Sequence, residues 1–154
     1  MKKTAIRGLK TAILSLALAG LIALPALAQE GAIKYRQSVM KAVGGHMGAM
    51  AAILKKQVPF KKDLQVHANA MADLAKIAAR VFPEGSDFGE TRAKEEIWSK
   101  PKEFAKVIQV FITESGKLAK VAGNGDVNAF IAQFQVMGKN ACGACHKQFR
   151  EKKQ

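Results

Sequence analysis

Acidic residues are scarce in this chain, which has 12 Asp and Glu against 25 Lys and Arg among 154 residues, for a net charge of +13. Paired carboxylates, a glycine-rich phosphate loop and a Ser/His/Asp arrangement are missing, so nothing indicates hydrolytic catalysis or an enzyme. No pattern of basic residues interleaved with aromatic ones occurs, which argues against nucleic-acid binding. The positive charge therefore favours acidic redox proteins or anionic lipid head groups as partners.

Runs of β-branched residues are few, and the chain has no internal repeat or low-complexity segment. Good helix formers, namely Ala, Lys, Leu and Met, recur throughout. Cysteine is limited to two residues, but a chain of this length buries a core without disulfides. These features predict a single all-helical domain.

The N-terminus has the order of a secretory signal peptide. A basic stretch precedes an apolar run that ends in Ala26 and Ala28, the small residues that signal peptidase requires. We expect cleavage of residues 1–28, which removes four basic residues and no acid and leaves residues 29–154 with a net charge of +9. An uncleaved membrane anchor is the alternative, but Pro25 and the cleavage pattern favour removal and export to the periplasm.

Apolar residues at helical spacing predict four amphipathic helices. Proline follows the first two of them at Pro59 and Pro83, and Asp126 can cap the last. Residues 82–100 form an irregular connection with a short turn near Glu95. Short connections elsewhere make neighbouring helices antiparallel, which predicts a four-helix bundle. The expected helices are A at about 31–57, B at 61–81, C at 101–122 and D at 127–149.

Helix D contains Cys142-Gly143-Ala144-Cys145-His146, the C-x-x-C-H pattern of covalent haem c attachment. Cysteines at i and i+3 lie on one helical face, where both thiols can add to the vinyl groups of one porphyrin. His146 then supplies the axial ligand to the haem iron. The sequence thus predicts one covalent haem c near the C-terminal helix.

Three other interpretations of these residues fit the sequence less well. A thioredoxin-like C-x-x-C needs a βαβ setting and a helix N-terminus, whereas these cysteines lie near the end of a helix. A structural zinc site needs a fourth ligand, which His46 or His67 would have to provide. A disulfide across one helical turn constrains almost nothing and leaves the adjoining histidine unexplained.

A C-terminal C-x-x-C-H on the last helix of an exported bundle resembles the cytochrome c-prime family, including its low-spin methionine-ligated branch. The resemblance covers nearly all of the mature chain and implies an antiparallel four-helix bundle that pairs with a second copy through its first two helices. It implies haem contacts for Arg36, Gln37, Glu90 and Thr91, with Arg36 able to shield the opening or pair with a propionate. The matching segments are Tyr35 to Ser38, Pro59-Phe60, Gly89 to Thr91, Glu96 to Trp98, Cys142 to His146 and Phe149-Arg150.

By the same resemblance Met40 projects from helix A towards the distal side of the haem. A Met40 thioether on the iron gives a low-spin centre that passes electrons. If Met40 only covers the iron, the centre is five-coordinate and binds a small gas such as nitric oxide or carbon monoxide. Met40 also shares a face with Val43, Met47 and Met50, as a core filler does.

The sequence therefore leaves two functions open, a periplasmic electron carrier and a gas-binding protein. His46 and His67 are interpreted as structural residues. Tyr35 and Trp98 are expected to pack around the haem or the long connection. Lys55, Lys56, Lys61 and Lys62 are a candidate docking face for an acidic partner.

Overall fold

The computed structural model describes the backbone of residues 9–152 and the side chains of residues 27–152. The predicted signal peptide, residues 1–28, therefore lies almost wholly outside the described side chains, and its cleavage stays a prediction. Among the described side chains, no helix is both long and apolar enough to cross a membrane. The elements are α1 (Leu9–Leu54), α2 (Asp63–Ile77), a 3-10 turn (Ala79–Val81), α3 (Glu96–Ser99), α4 (Pro101–Gly123), α5 (Val127–Val136), a π-helical segment (Met137–Gly143) and α6 (Ala144–Phe149).

Helix α1 differs from the predicted helix A at both ends. Helical backbone reaches back to Leu9, the first residue described, because the sequence before residue 31 is rich in Ala and Leu, which continue a helix. It ends at Leu54 rather than near residue 57. Lys56 there adopts a left-handed conformation (φ 60°), and the Gln57 N–H donates to the carbonyl of Ala52 at 3.0 Å, which closes the helix.

Helix α2 and the connection that follows agree with the predicted pattern except in detail. Helix α2 starts two residues later than predicted, and its last turn tightens into the 3-10 turn that ends at Val81, just before Pro83. Helix α3 occupies the position of the predicted short turn. Pro101 opens α4, since a proline at the first helical position sacrifices no hydrogen bond.

The fourth helical stretch is interrupted, whereas the sequence predicted one regular helix from 127 to 149. Asp126 caps it as predicted, and its Oδ1 accepts from the backbone N–H of Asn128 at 2.9 Å and of Ala129 at 3.0 Å. The π-helical segment then separates α5 from α6. Hydrophobic periodicity does not distinguish α from π turns, so this interruption was not foreseen.

One hydrophobic core joins the four helical stretches. Helices α2 and α4 pack closely because Ala68 and Ala75 are small and fully buried between them. The core includes Met50 and Ile53 of α1, Leu64 and Met71 of α2, Phe104, Ile108, Phe111 and Leu118 of α4, and Phe130, Met137, Ala141 and Phe149 of the last stretch. This arrangement confirms the all-α four-helix bundle.

Candidate functional site

A cavity of about 630 Å³ opens between α1, α4 and the last helical stretch, beside the long connection. Its volume is in the range of pockets that hold a cofactor. Its walls are mostly apolar, with charged residues from α1, the long connection and the chain end. The lining residues are Arg36, Gln37, Met40, Lys41, Val43, Gly44, Met47, Ala78, Phe82, Glu90, Thr91, Arg92, Ala93, Ile97, Phe104, Ile108, Phe111, Gly138, Ala141, Cys142, Cys145, His146, Phe149 and Arg150.

The C-x-x-C-H residues all line this cavity. Cys142 and Cys145 are free thiols and are partly buried. Burial raises the pKa of both thiols, that of Cys145 to about 11, so both stay protonated at neutral pH. Partial desolvation lowers the pKa of His146, and the positive charges of Arg150 and Arg92 lower it further. The site therefore presents two thiols and a neutral imidazole, the donor set that covalent haem c requires.

In the π-helical segment, two successive turns of the backbone come close together at the C-x-x-C-H motif. A Cβ on Gly143 would lie 3.3 Å from the carbonyl oxygen of Gly138, so a side chain there would press on that turn. A Cβ on Gly138 would lie 3.8 Å from Cε of Met47, which is where α1 meets this stretch. Gly143 thus allows the close approach of two backbone turns at the motif, whereas at Gly138 a Cβ would make only an ordinary contact with α1.

The long connection is fastened to the chain end next to His146. The Lys94 N–H donates to the carbonyl of Phe149 at 3.1 Å, and the Glu151 N–H donates to the carbonyl of Arg92 at 2.8 Å. These bonds flank an antiparallel bridge between Ala93 and Arg150. They hold Arg92 and Arg150 at the cavity, where both charges act on the imidazole.

Arg36 is 3% exposed and anchors the connection to α1. Its guanidinium donates to Ser86 Oγ at 2.8 Å, to the Ser86 carbonyl at 2.9 Å and to Thr91 Oγ1 at 2.8 Å. It also lies over the rings of Phe82 and Trp98, at 5.0 Å and 5.8 Å from their centroids. Burial lowers the pKa of Arg36. Arg36 takes part in none of the ion pairs of the described side chains, so neutral dipoles and ring faces solvate its charge.

Gln37, Glu90 and Thr91 also line the cavity, and the haem contacts that the resemblance implies for them stay a prediction. Gln37 Nε2 donates to the backbone carbonyl of Glu90 at 2.7 Å. Thr91 Oγ1 accepts from Arg36 and also from the Ala93 N–H at 3.1 Å. All three therefore hold the connection in place in addition to facing the cavity.

Aromatic side chains close one end of the cavity. Phe82, Phe104 and Phe149 stack edge to face, with centroids 4.9 Å and 5.2 Å apart. Trp98 packs against Phe82 and donates from Nε1 to the carbonyl of Pro83 at 3.0 Å. Trp98 was expected to pack around the haem or the long connection, and its contacts with Phe82 and Pro83 confirm that it packs on the connection. Tyr35 is 53% exposed and does not line the cavity, and its packing stays a prediction.

Met40 lines the cavity from α1, with Val43, Gly44 and Met47 one and two turns further along. It thus belongs to a wall formed by a different helix from the one that carries Cys142, Cys145 and His146. His46 and His67 do not line the cavity, and they hydrogen-bond to each other instead.

The alternative interpretations of the motif do not fit this geometry. Raised thiol pKa values make both cysteines poor nucleophiles, unlike a thioredoxin-type pair. Within the described residues no three His, Cys, Asp or Glu side chains gather as a metal site, so neither His46 nor His67 completes a zinc site with the motif.

Sequence reasoning missed Ser86 and Arg92. Ser86 is 1% exposed and binds Arg36 across 50 residues of sequence. In the sequence, Ser86 is only one more polar residue in a turn-rich segment, and polar residues are normal in a solvated loop. Arg92 carried no motif, and its place beside His146 depends on the bridge between Ala93 and Arg150.

Comparison with known proteins adds sequence evidence. The sequence model of the family described as Cytochrome C' matches residues 31–150. A cytochrome c' from Pararhodospirillum photometricum is 36% identical over 124 residues, which cover 79% of this chain and 98% of that protein. A cytochrome c-554 from Cereibacter sphaeroides is 32% identical over 144 residues, which cover 86% and 92%.

Solved structures share the fold as well. A ferrous variant of cytochrome c prime from Alcaligenes xylosoxidans with bound NO aligns with a TM-score of 0.74 at 31% identity, over 81% of this chain and 97% of that chain. A variant of the same protein with bound carbon monoxide aligns with a TM-score of 0.73 at 31% identity, over 80% and 97%.

Proposed function

The chain belongs to the cytochrome c′ family, whose members bind covalent haem c, and we propose that this protein is a single-haem electron carrier with Met40 as the distal iron ligand. Members of this family are haem-binding electron carriers or gas-binding proteins rather than enzymes. One observation carries the proposal: Met40 lines the same cavity as Cys142, Cys145 and His146, but from another helix.

On the proximal side, Cys142 and Cys145 would form the two thioether bonds, and His146 would bind the iron. When bound, haem c supplies reversible one-electron chemistry at its iron. The lowered pKa of His146 keeps its imidazole neutral and ready to act as a ligand. The apolar wall formed by Phe104, Phe149 and their neighbours would exclude water from the macrocycle.

On the distal side, the Met40 thioether would occupy the sixth position. Methionine and histidine ligation raises the reduction potential and leaves no free site for an exogenous ligand, which suits electron transfer. Arg36 and Gln37 would help by holding the connection over the cavity through their bonds to Ser86, Thr91 and Glu90.

Gas binding is the second candidate function. Two observations favour it: similar proteins of known structure hold nitric oxide and carbon monoxide, and open space lies beside Met40. Gly44, one turn from Met40, lines the cavity, and a Cβ built there would meet nothing within 4 Å. If Met40 only covers the iron, a diatomic gas would bind there.

Absorption spectra of the purified haem protein separate these functions. For an electron carrier we expect a methionine–iron charge-transfer band in the ferric form and no response of the ferrous form to carbon monoxide. Met40→Leu should lose the band and bind carbon monoxide, whereas the matched Met47→Leu in the same cavity should keep the band. Carbon monoxide binding by the unmodified ferrous protein would instead support the gas-binding function.

The redox partner would be an acidic protein that docks near the cavity. Lys41, Arg92 and Arg150 are exposed and line it. Lys55 and Lys61, the docking candidates from the sequence, are exposed too. Both follow the end of α1, however, whereas the last residue of α1 that lines the cavity is Met47. At about 1.5 Å per residue, the end of α1 lies ~10 Å beyond that residue.

Charge reversal tests the docking position. Lys41→Glu should slow electron transfer with an acidic redox protein several-fold at low salt and much less at high salt, because salt screens exposed charges. Lys61→Glu is the matched control and should change the rate less. Equal effects of the two variants would remove Lys41 from the docking site.

Export and self-association also belong to the proposal. We expect a periplasmic protein whose mature chain starts at Gln29, which N-terminal sequencing of the periplasmic fraction tests. We expect a homodimer through α1 and α2, which sedimentation of the mature haem protein tests.

A further inference from the structure

Two histidines face each other across the α1–α2 contact. Nδ1 of His46 and Nδ1 of His67 are 2.9 Å apart, and the ring centroids are 5.2 Å apart at an angle of 59°. When both rings are neutral, one donates its Nδ1–H and the other accepts it. The chain has three histidines, and the motif uses His146, so this pair contains every histidine that the haem site leaves free.

We propose that His46 and His67 form a binding site for a divalent copper ion. At metal–nitrogen bond lengths of ~2.0–2.1 Å, two ligands at 90° place their nitrogens ~2.9 Å apart, whereas a tetrahedral angle places them ~3.3 Å apart. The separation of the two Nδ1 atoms therefore matches two adjacent positions of a square or tetragonal site. Cu²⁺ prefers that geometry and binds nitrogen ligands more tightly than the neighbouring divalent metals.

The pair needs little change to accept the ion. Each ring must turn its Nδ1 lone pair towards the metal, and the ring that donates Nδ1–H must move that proton to Nε2. Between two neutral imidazoles this rearrangement releases no net proton. Both residues are only partly buried, so the ion can reach them from solvent.

The two imidazoles supply part of the coordination shell. No three His, Cys, Asp or Glu side chains gather as a metal site in the described part of the chain, so water would fill the remaining positions. Asp63 lies one turn before His67 on the same face of α2, where its negative charge offsets part of the repulsion from this basic chain. The ion would also join α1 to α2, and so would stabilise their contact by binding only the folded state.

A copper titration of the intact haem protein tests the site. Cu²⁺ supplied as its glycine complex should bind with one-to-one stoichiometry by calorimetry. After dialysis has removed the glycine, the copper signal in electron paramagnetic resonance should show hyperfine splitting from two imidazole nitrogens. A signal with one or no imidazole nitrogen would overturn the proposal, and this readout needs no variant.

Variants assign the ligands. His46→Gln and His67→Gln should each weaken copper binding at least ~10-fold, the loss that even an outer-sphere partner of a metal causes. Asn69→Ala, two residues from His67 and exposed, is the matched control and should bind as the unmodified protein does. Unchanged binding in His46→Gln/His67→Gln, with its haem spectrum intact, would refute the site. Tighter binding of Zn²⁺ than of Cu²⁺ would refute the geometric argument.

Discussion

Ser86→Ala should destabilise the protein more than any serine substitution on its surface. The hydroxyl accepts from Arg36 Nη1 at 2.8 Å and donates to the carbonyl of Pro83 at 2.7 Å, and both Ser86 and Arg36 are almost fully buried. A hydrogen bond to a charged group contributes about 1.5–3 kcal/mol and a neutral one about 0.5–1.5 kcal/mol. Because water does not reach the guanidinium, we expect a loss of about 2–4 kcal/mol.

Urea unfolding of the haem protein, followed by circular dichroism, measures this loss. The matched control is Ser99→Ala, since Ser99 is exposed and its hydroxyl makes only a 3.3 Å bond to the Glu95 carbonyl. We expect that control to change stability by less than about 0.5 kcal/mol. Amide hydrogen exchange should also speed up in residues 82–91 of Ser86→Ala. Equal stability of the two variants would refute the anchoring role of Arg36.

Two further predictions concern the backbone. Asp126→Ala should cost about 1 kcal/mol of unfolding free energy because two N–H groups at the start of α5 lose their acceptor, and a thermal melt against Asn124→Ala as control measures it. Gly89→Ala should cost about 1–2 kcal/mol, since Gly89 has φ +100° and a Cβ there would lie 3.4 Å from Ile33 Cδ1. Gly116→Ala, in open space on α4, should instead stabilise by about 0.5–1 kcal/mol, and the same sign for both glycines would contradict this account.

Helix content and most helix ends follow from local features of the sequence. Pro83 and Pro101 mark an end and a start because a proline restricts the backbone of its immediate neighbours, whereas α1 ends five residues before Pro59. Asp126 could be identified as a cap because it bonds to residues only two and three positions away. The π-helical segment could not be identified, because hydrophobic periodicity does not distinguish α from π turns.

The residues of the candidate site also divide into those that local sequence predicts and those whose contacts depend on the tertiary structure. Cys142, Cys145 and His146 are neighbours in sequence, so their shared helix face was predictable from spacing alone. The resemblance to the family added Arg36 and Met40 to the predicted site. It did not reveal that the Arg36 guanidinium is hydrogen-bonded to Ser86.

The bundle, the haem-binding motif and the basic charge could be predicted from the amino-acid sequence, because each depends on composition or on residues within one or two helical turns. Which distant side chains meet depends on the tertiary structure. It placed Met40 in the same cavity as the motif, buried Arg36 against Ser86, and brought His46 to within 2.9 Å of His67. Such contacts depend on how helices pack and how a loop closes, and hydrophobic periodicity specifies which face is buried but not which residue it will contact.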